Sequence, residues 1–198
     1  MNDYIGFMRR PLFQFHPVVT AFGTAILSIS LMLAPARAET AAEMDALFSE
    51  LAQTEGEGWA RAQSDIERIW SRSGSAAMDL LLQRGEQALD MGDIDSAIGH
   101  LTALTDHAPD FAAGWAARAA AFHAAGEFGP AAADLAATLR LEPRHWGALT
   151  LLAAMLEETG DETRALKAYR ASLDINPHQP EAEDGAARLS TDALGQGV

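Results

Sequence analysis

No cysteine occurs in the 198 residues, which excludes disulfides, thiolate metal sites and a lipoprotein anchor built on an acylated cysteine. Aromatic residues make up only 7% of the chain and β-branched residues are sparse, while Ala, Leu and Glu dominate. That balance favours helix and argues against an all-β fold. Positive charge is short as well: 14 Lys and Arg stand against 28 Asp and Glu, a formal net charge of −14. So acidic a chain repels nucleic acid and anionic lipid, and neither is expected as a partner. Length leaves no room for two large domains, since one takes roughly 100–200 residues.

Residues 1–38 read as an export signal. Arg9 and Arg10 precede an uncharged apolar run from Val18 to Ala34, and Pro35 comes next with the small residues Ala36 and Ala38. A helix breaker ahead of a small-x-small site is what signal peptidase requires, so cleavage is expected between Ala38 and Glu39. Met8, Pro11, Leu12 and Phe13 around the arginine pair lack the order of a twin-arginine signal, which points to Sec export. A start at Met8 would give a shorter basic head and alter the signal alone. The competing reading is an uncleaved anchor, because the run approaches the ~20 residues that span a bilayer; Pro35 and the cleavage site favour removal. The mature chain is then expected to be periplasmic or secreted, without membrane contact, in an oxidising compartment that suits a cysteine-free protein.

A period of 34 residues organises the chain beyond the signal. Gly92, Gly126 and Gly160 form one ladder; Ala97, Ala131 and Ala165 form a second; Pro109, Pro143 and Pro177 form a third. Each has a physical reason. Glycine suits the left-handed turn where a first helix ends, and alanine suits the place where the second helix comes too near for a longer side chain. Proline fits only where one helix stops and the next begins. Between these marks the apolar spacing is helical, as with Ile94, Ile98, Leu101 and Leu104. The period marks a helix-turn-helix array.

These ladders resemble the tetratricopeptide repeat (TPR) family over residues 78–179. The expected fold is therefore all-α, a right-handed α-solenoid of units 78–111, 112–145 and 146–179. A degenerate helical hairpin at 39–77 is expected to stack before the first unit. Residues 180–198 should supply a short capping helix, Glu181 to Leu189, and a loose tail from Ser190. The position usually held by Leu in the first helix is Arg84 in the first unit and Arg118 in the second. Asp134 stands opposite Arg118, which predicts a structural salt bridge; His100 stands opposite Arg84 and can pair only as a neutral acceptor. The run from Ile66 to Pro143 also resembles a group of small exported bacterial TPR proteins.

Nothing in the sequence supplies a nucleophile with a neighbouring base, an oxyanion site or a glycine-rich phosphate loop, so neither enzyme chemistry nor a cofactor is expected. His100 and His107 lie seven apart, too far for a compact metal site. His107 is expected in the core, and His145 and His178 are expected to be solvated between units. The resemblance directs attention to the concave face, where first helices line a groove for a peptide or helix. Its lining positions are Asp79, Leu82, Gln83, Glu86, Leu89 and Asp90 in the first unit, and Ala113, Ala116, Ala117, Ala120, His123 and Ala124 in the second. The third offers Gly147, Thr150, Leu151, Ala154, Glu157 and Glu158. The centre is small and apolar, and both ends are acidic. A carboxylate clamp for acidic tails needs Lys or Asn where Leu82, Glu86, Ala117, Gly147 and Leu151 stand, so that mode is excluded.

The expected role is an adaptor in the cell envelope whose groove takes an apolar or basic segment of another protein. A second reading is a structural or assembly subunit acting through self-association, its convex face or the cap that carries Trp59 and Trp70, and a concentration-dependent mass separates the two. Export should leave a mature chain beginning at Glu39. Mass spectrometry of the secreted protein checks this, and any other N-terminus, or an unprocessed one, overturns it.

Overall fold

Gly92, Gly126 and Gly160 take φ of 74°, 74° and 80°, the left-handed region in which a Cβ is strained. The residue after each donates its amide to the carbonyl five positions back: Asp93 to Ala88 at 2.9 Å, and Glu127 to Phe122 and Asp161 to Leu156 at 2.8 Å. This closes the preceding helix by satisfying one of its free carbonyls. Asp93 and Asp161 then cap the next helix, accepting from the amides of Ser96 at 3.2 Å and Arg164 at 3.1 Å. Hydrogen bonding to those amides and side chains holds both carboxyls below their usual range.

The computed structural model describes residues 41–53 and 56–195, with side chains as far as Ser190. The expected signal, residues 1–38, lies outside the described residues. Residues 41–51 are helical (α1), followed by α2 (Gly58–Trp70), α3 (Ala76–Asp90), α4 (Ile94–His107), α5 (Ala112–Ala124), α6 (Phe128–Leu141), α7 (Trp146–Glu158), α8 (Glu162–Ile175) and α9 (Pro180–Gly195). No strand occurs among the described residues, and none of their helices is long and apolar enough to cross a membrane. The expected α-solenoid is present: α3–α4, α5–α6 and α7–α8 are the three helix pairs, packed in chain order, with α9 against α8.

Ala97, Ala131 and Ala165 are completely buried, as the spacing required. A further ladder of small residues faces them on the first helices. A Cβ built on Gly85 would collide with Cγ of Leu101, and 34 and 68 residues further on stand Ala119 and Ala153, both without exposure. The paired helices meet through this ladder, which is distinct from the three that mark the period. Leu101, Leu104 and Leu135 fill the space beside it and are fully buried.

Arg118 reaches Asp134 with two bonds, Nε to Oδ2 at 2.7 Å and Nη2 to Oδ1 at 2.9 Å, so the expected salt bridge is formed. The two side chains are 14% and 6% exposed, and the guanidinium lies 4.8 Å from the Trp115 ring centroid. A bidentate pair this buried is more a device for fixing register than a large net source of stability. Arg84, by contrast, is exposed and makes no bond to His100. His107 departs from its expected core place: it is exposed as the last residue of α4, while Leu104 and Thr105 take the buried positions.

The cap also departs from expectation, because α9 runs on to Gly195 and the tail does not begin at Ser190. Its inner face buries Ala182 and Leu189 against Tyr169 and Leu173, and Gly185 leaves room for the Tyr169 ring where a Cβ would otherwise stand. Ala131→Leu is expected to destabilise the protein by roughly 1–3 kcal/mol through overpacking, whereas Ala132→Leu, at the exposed neighbour, should stay within about 0.5 kcal/mol. Urea denaturation of the two variants checks this, and equal losses would refute the close-packed assignment.

Candidate functional site

The hairpin α1–α2 decides what remains of the groove. Met44, Phe48 and Leu51 of α1 and Ala62 and Ile66 of α2 form one buried cluster, and Trp146 at the start of the third unit completes it. Arg144 bonds Asp45 at 2.7 Å and lies 3.9 Å over the Phe48 ring. Trp70 stacks on His145 with centroids 4.5 Å apart and tilts against Trp146 at 4.6 Å. Trp59 stacks on His178 at 3.9 Å, whose Nε2 donates to the Gln53 carbonyl at 2.8 Å. Asn176 donates to Gln63 at 3.2 Å.

The hairpin therefore does not stack ahead of the first unit. Its aromatic face docks on the loops that open and close the third unit, where two histidines offer flat partners. Gly74, with φ of 83°, lets the Ser71–Ser75 linker turn between hairpin and array. His145 and His178 are accordingly not solvated: each is half-buried under a tryptophan. His145 Nδ1 also accepts from the Ala148 amide at 3.2 Å, capping α7, and burial pulls its pKa down to about 4.

Docking leaves two hollows that share Trp146 and Gly147. The first, about 280 Å³, brings together Leu82, Glu86, Ala113, Ala116, Ala117 and Gly147 from all three units, closed on one side by Glu67, Trp70 and Ser71 of the hairpin. The second, about 510 Å³, holds Thr150, Leu151 and Ala154 beside Gln63, His178 and Gln179. Neither includes Asp79, Gln83, Leu89, Asp90, Ala120, His123, Ala124, Glu157 or Glu158.

Several expected lining groups are engaged elsewhere. Asp79 accepts from the amide and hydroxyl of Ser73 at 2.7 and 2.6 Å, bonds that hold its pKa below the usual range. Glu157 binds Arg188 of α9 at 2.8 and 3.0 Å and accepts from the Tyr169 hydroxyl at 3.0 Å. Its pKa is lowered, first by Arg188, while burial and then Glu157 push the Tyr169 hydroxyl up to about 12. His123 and Glu158 meet at 3.0 Å and join the second unit to the third. Thr150 lies 2.8 Å from Ser172 Oγ and 2.9 Å from Gln179 Oε1, in a buried network that seats α9. The acids expected to mark both groove ends thus reduce to Glu86 and Asp90, which have no hydrogen-bonded or ionic partner among the described residues. Burial, with Asp90 adding repulsion, pushes the Glu86 pKa up. No group of three or more His, Asp or Glu among the described residues is placed to hold a metal ion.

Of the residues that line the first hollow, Glu67, Ser71, His145 and Trp146 were not expected there, and Trp70 only as part of a cap. A signal was present: of four tryptophans, only Trp115 stands where the units repeat a large residue (Leu81, Leu149), so Trp59, Trp70 and Trp146 are surplus to the repeat.

Paired helices at a 34-residue period around a lined hollow define a helical-repeat scaffold of the kind that takes part in protein–protein interaction. The chain belongs to the tetratricopeptide repeat family: the family model described as Tetratricopeptide repeat matches residues 82–134 and 124–180. A TPR repeat-containing protein of Rhizobium etli is 31% identical over 153 residues, covering 77% of this chain and 75% of that protein. Among solved structures, the first TPR of Spaghetti (RPAP3) bound to the HSP90 peptide SRMEEVD is similar with a TM-score of 0.57 and 22% identity, covering 61% of this chain and 95% of that one. The Sgt2 TPR domain of Aspergillus fumigatus also gives 0.57, at 21% identity, over 61% of this chain and 81% of its own.

Burial of His145 ties stability to pH. Unfolded, its imidazole takes up a proton near the ordinary value of 6.5; folded, it does so only at about 4. Its stabilising contribution is full above the unfolded value and is lost as pH falls through this window. His145→Asn keeps a capping acceptor without the titration, while the carboxylates titrate alike in both proteins. The loss of urea stability between about pH 7 and about pH 4.5 should be smaller in this variant. An identical pH dependence would show that His145 charges freely in the folded chain.

Proposed function

We propose that this protein is a non-enzymatic adaptor of the bacterial cell envelope that holds an apolar or basic segment of another protein on its concave face. The observation that carries the reading is the first hollow: lining residues of all three units converge on one open, mostly apolar depression next to a carboxylate without a partner among the described residues. Apolar anchors there supply affinity, and the acidic surround sets the rate and specificity of encounter. The export signal read in residues 1–38 supports the envelope setting. The similar Spaghetti structure holds the acidic peptide SRMEEVD, whereas Leu82, Glu86 and Ala117 stand at positions where grip on such a tail needs Lys or Asn. The chemistry favoured here is the opposite one.

Crosslinking in cells followed by identification of the bound segment provides the ligand for a direct test. Ala117→Trp, which fills the hollow, should abolish capture of that segment. Ala136→Trp, at an exposed place on α6, should leave capture unchanged, with circular dichroism confirming that both variants fold. Capture that survives Ala117→Trp and fails with Ala136→Trp would move the site to the outer surface.

A further inference from the structure

The first hollow has a charge pattern that a crevice between packed helices does not need. Glu67 of α2 and Glu86 of α3 both line it, and no Lys or Arg does. Glu67 accepts from Gln63 Nε2 at 3.1 Å; Glu86 has no such bond. Its side chain stays exposed at the rim, where partial shielding by its neighbours and then the charge of Asp90 one turn along raise its pKa. His145, the remaining titratable group on the wall, supplies no counter-charge at neutral pH, since burial keeps it uncharged down to about 4. Apart from Ser71, the rest of the lining is apolar, chiefly Trp70, Leu82, Ala113, Ala116 and Ala117.

Size narrows the occupant. About 280 Å³ stands at the low end of the ~300–1,000 Å³ of small-molecule pockets and has room for one long side chain. Lys and Arg bury an aliphatic stem against apolar walls while the charged head finds an acid. A cation here would also pair the carboxylate of Glu86, which has no ionic partner among the described residues.

Resting on the groove reading, we propose that this hollow is a specificity pocket for a single Lys or Arg side chain of the bound segment. Glu86 is its counter-charge, and Trp70 is the wall that the hairpin contributes. The hairpin is thus part of the site and does not compete for it. Trp70 is held by ring stacking on His145 and Trp146, and its buried indole N–H has no acceptor. Shape and not hydrogen bonding is therefore what the wall requires, and Phe can replace it.

The test uses the mature chain and pools of acetylated, amidated dodecapeptides. Each pool carries Lys, Arg, norleucine or Glu at one central place and a mixture of Ala, Leu, Gln and Ser elsewhere. Fluorescence anisotropy should show Lys and Arg pools binding about tenfold tighter than the norleucine pool, as a charge-assisted hydrogen bond implies. Glu86→Gln should bring the three within about twofold, Trp70→Phe should keep the preference, and Trp70→Ala should lose it. Equal binding of Lys and norleucine pools by the wild type overturns the pocket and leaves the groove reading standing. Tighter binding of every pool by Trp70→Ala would show the hairpin to be a displaceable cover and also overturn the pocket. Binding of no pool overturns the groove reading and this inference together.

Discussion

Within each helix pair the two axes come together at a position that admits only a hydrogen or a methyl group, Gly85, Ala119 or Ala153 on one side and Ala97, Ala131 or Ala165 on the other. This approach brings Leu101 and Leu135 into a space with no exposure, and it sets the tilt of each pair relative to the next. The turn glycines serve the same end, because a left-handed residue at Gly92, Gly126 and Gly160 reverses the chain quickly enough to return the second helix onto the first. A solenoid built from such pairs passes any change of angle to its neighbours, so the concave face inherits its curvature from methyl-sized contacts on the far side of the same helices.

Onto that face the chain folds its own N-terminal hairpin. The docking is aromatic in character: Phe48, Trp59 and Trp70 meet His178, His145 and Trp146 as stacked, tilted or edge-on rings, with Asp45–Arg144 at the edge. Such contacts bury large area at low side-chain entropy cost. Burial under Trp70 keeps the pKa of His145 at about 4, so that its ring is neutral at neutral pH. A surface that would otherwise be a long open trough becomes two separate hollows with a shared floor at Trp146 and Gly147.

The distribution of charge takes its meaning from pairing. An acidic chain presents many carboxylates to solvent, and position on a helix face does not say which ones are free. Glu157 holds the capping helix through Arg188, Glu158 ties the second unit to the third through His123, and Asp79 ties the linker after the hairpin through Ser73. These acids do structural duty. Glu86 stands apart because it lines a concave hollow without an ionic or hydrogen-bonded partner among the described residues, although its side chain is still exposed.

Periodicity in one chain was enough for the architecture. Three ladders of Gly, Ala and Pro at a spacing of 34 determine helix ends, helix contacts and unit boundaries, because each landmark reports a local steric condition that holds wherever the residue sits. The Arg118–Asp134 pair was legible for the same reason, since the repeat itself places the two positions opposite each other. The groove was legible only as a set of lining positions. Which of them converge was decided by contacts between segments far apart in sequence: Arg144 with Asp45, Trp70 with His145, Asn176 with Gln63. The apolar spacing of residues 42–73 marked a face to be buried but carried no information about its partner, because helical period constrains orientation about an axis and not the surface against which that axis comes to rest. The seat of α9 obeyed the same rule, since its own pattern did not show that Ala182 and Leu189 come to rest against Tyr169 and Leu173. Short-range sterics therefore determined the repeat, and long-range packing of aromatic and charged side chains decided the site.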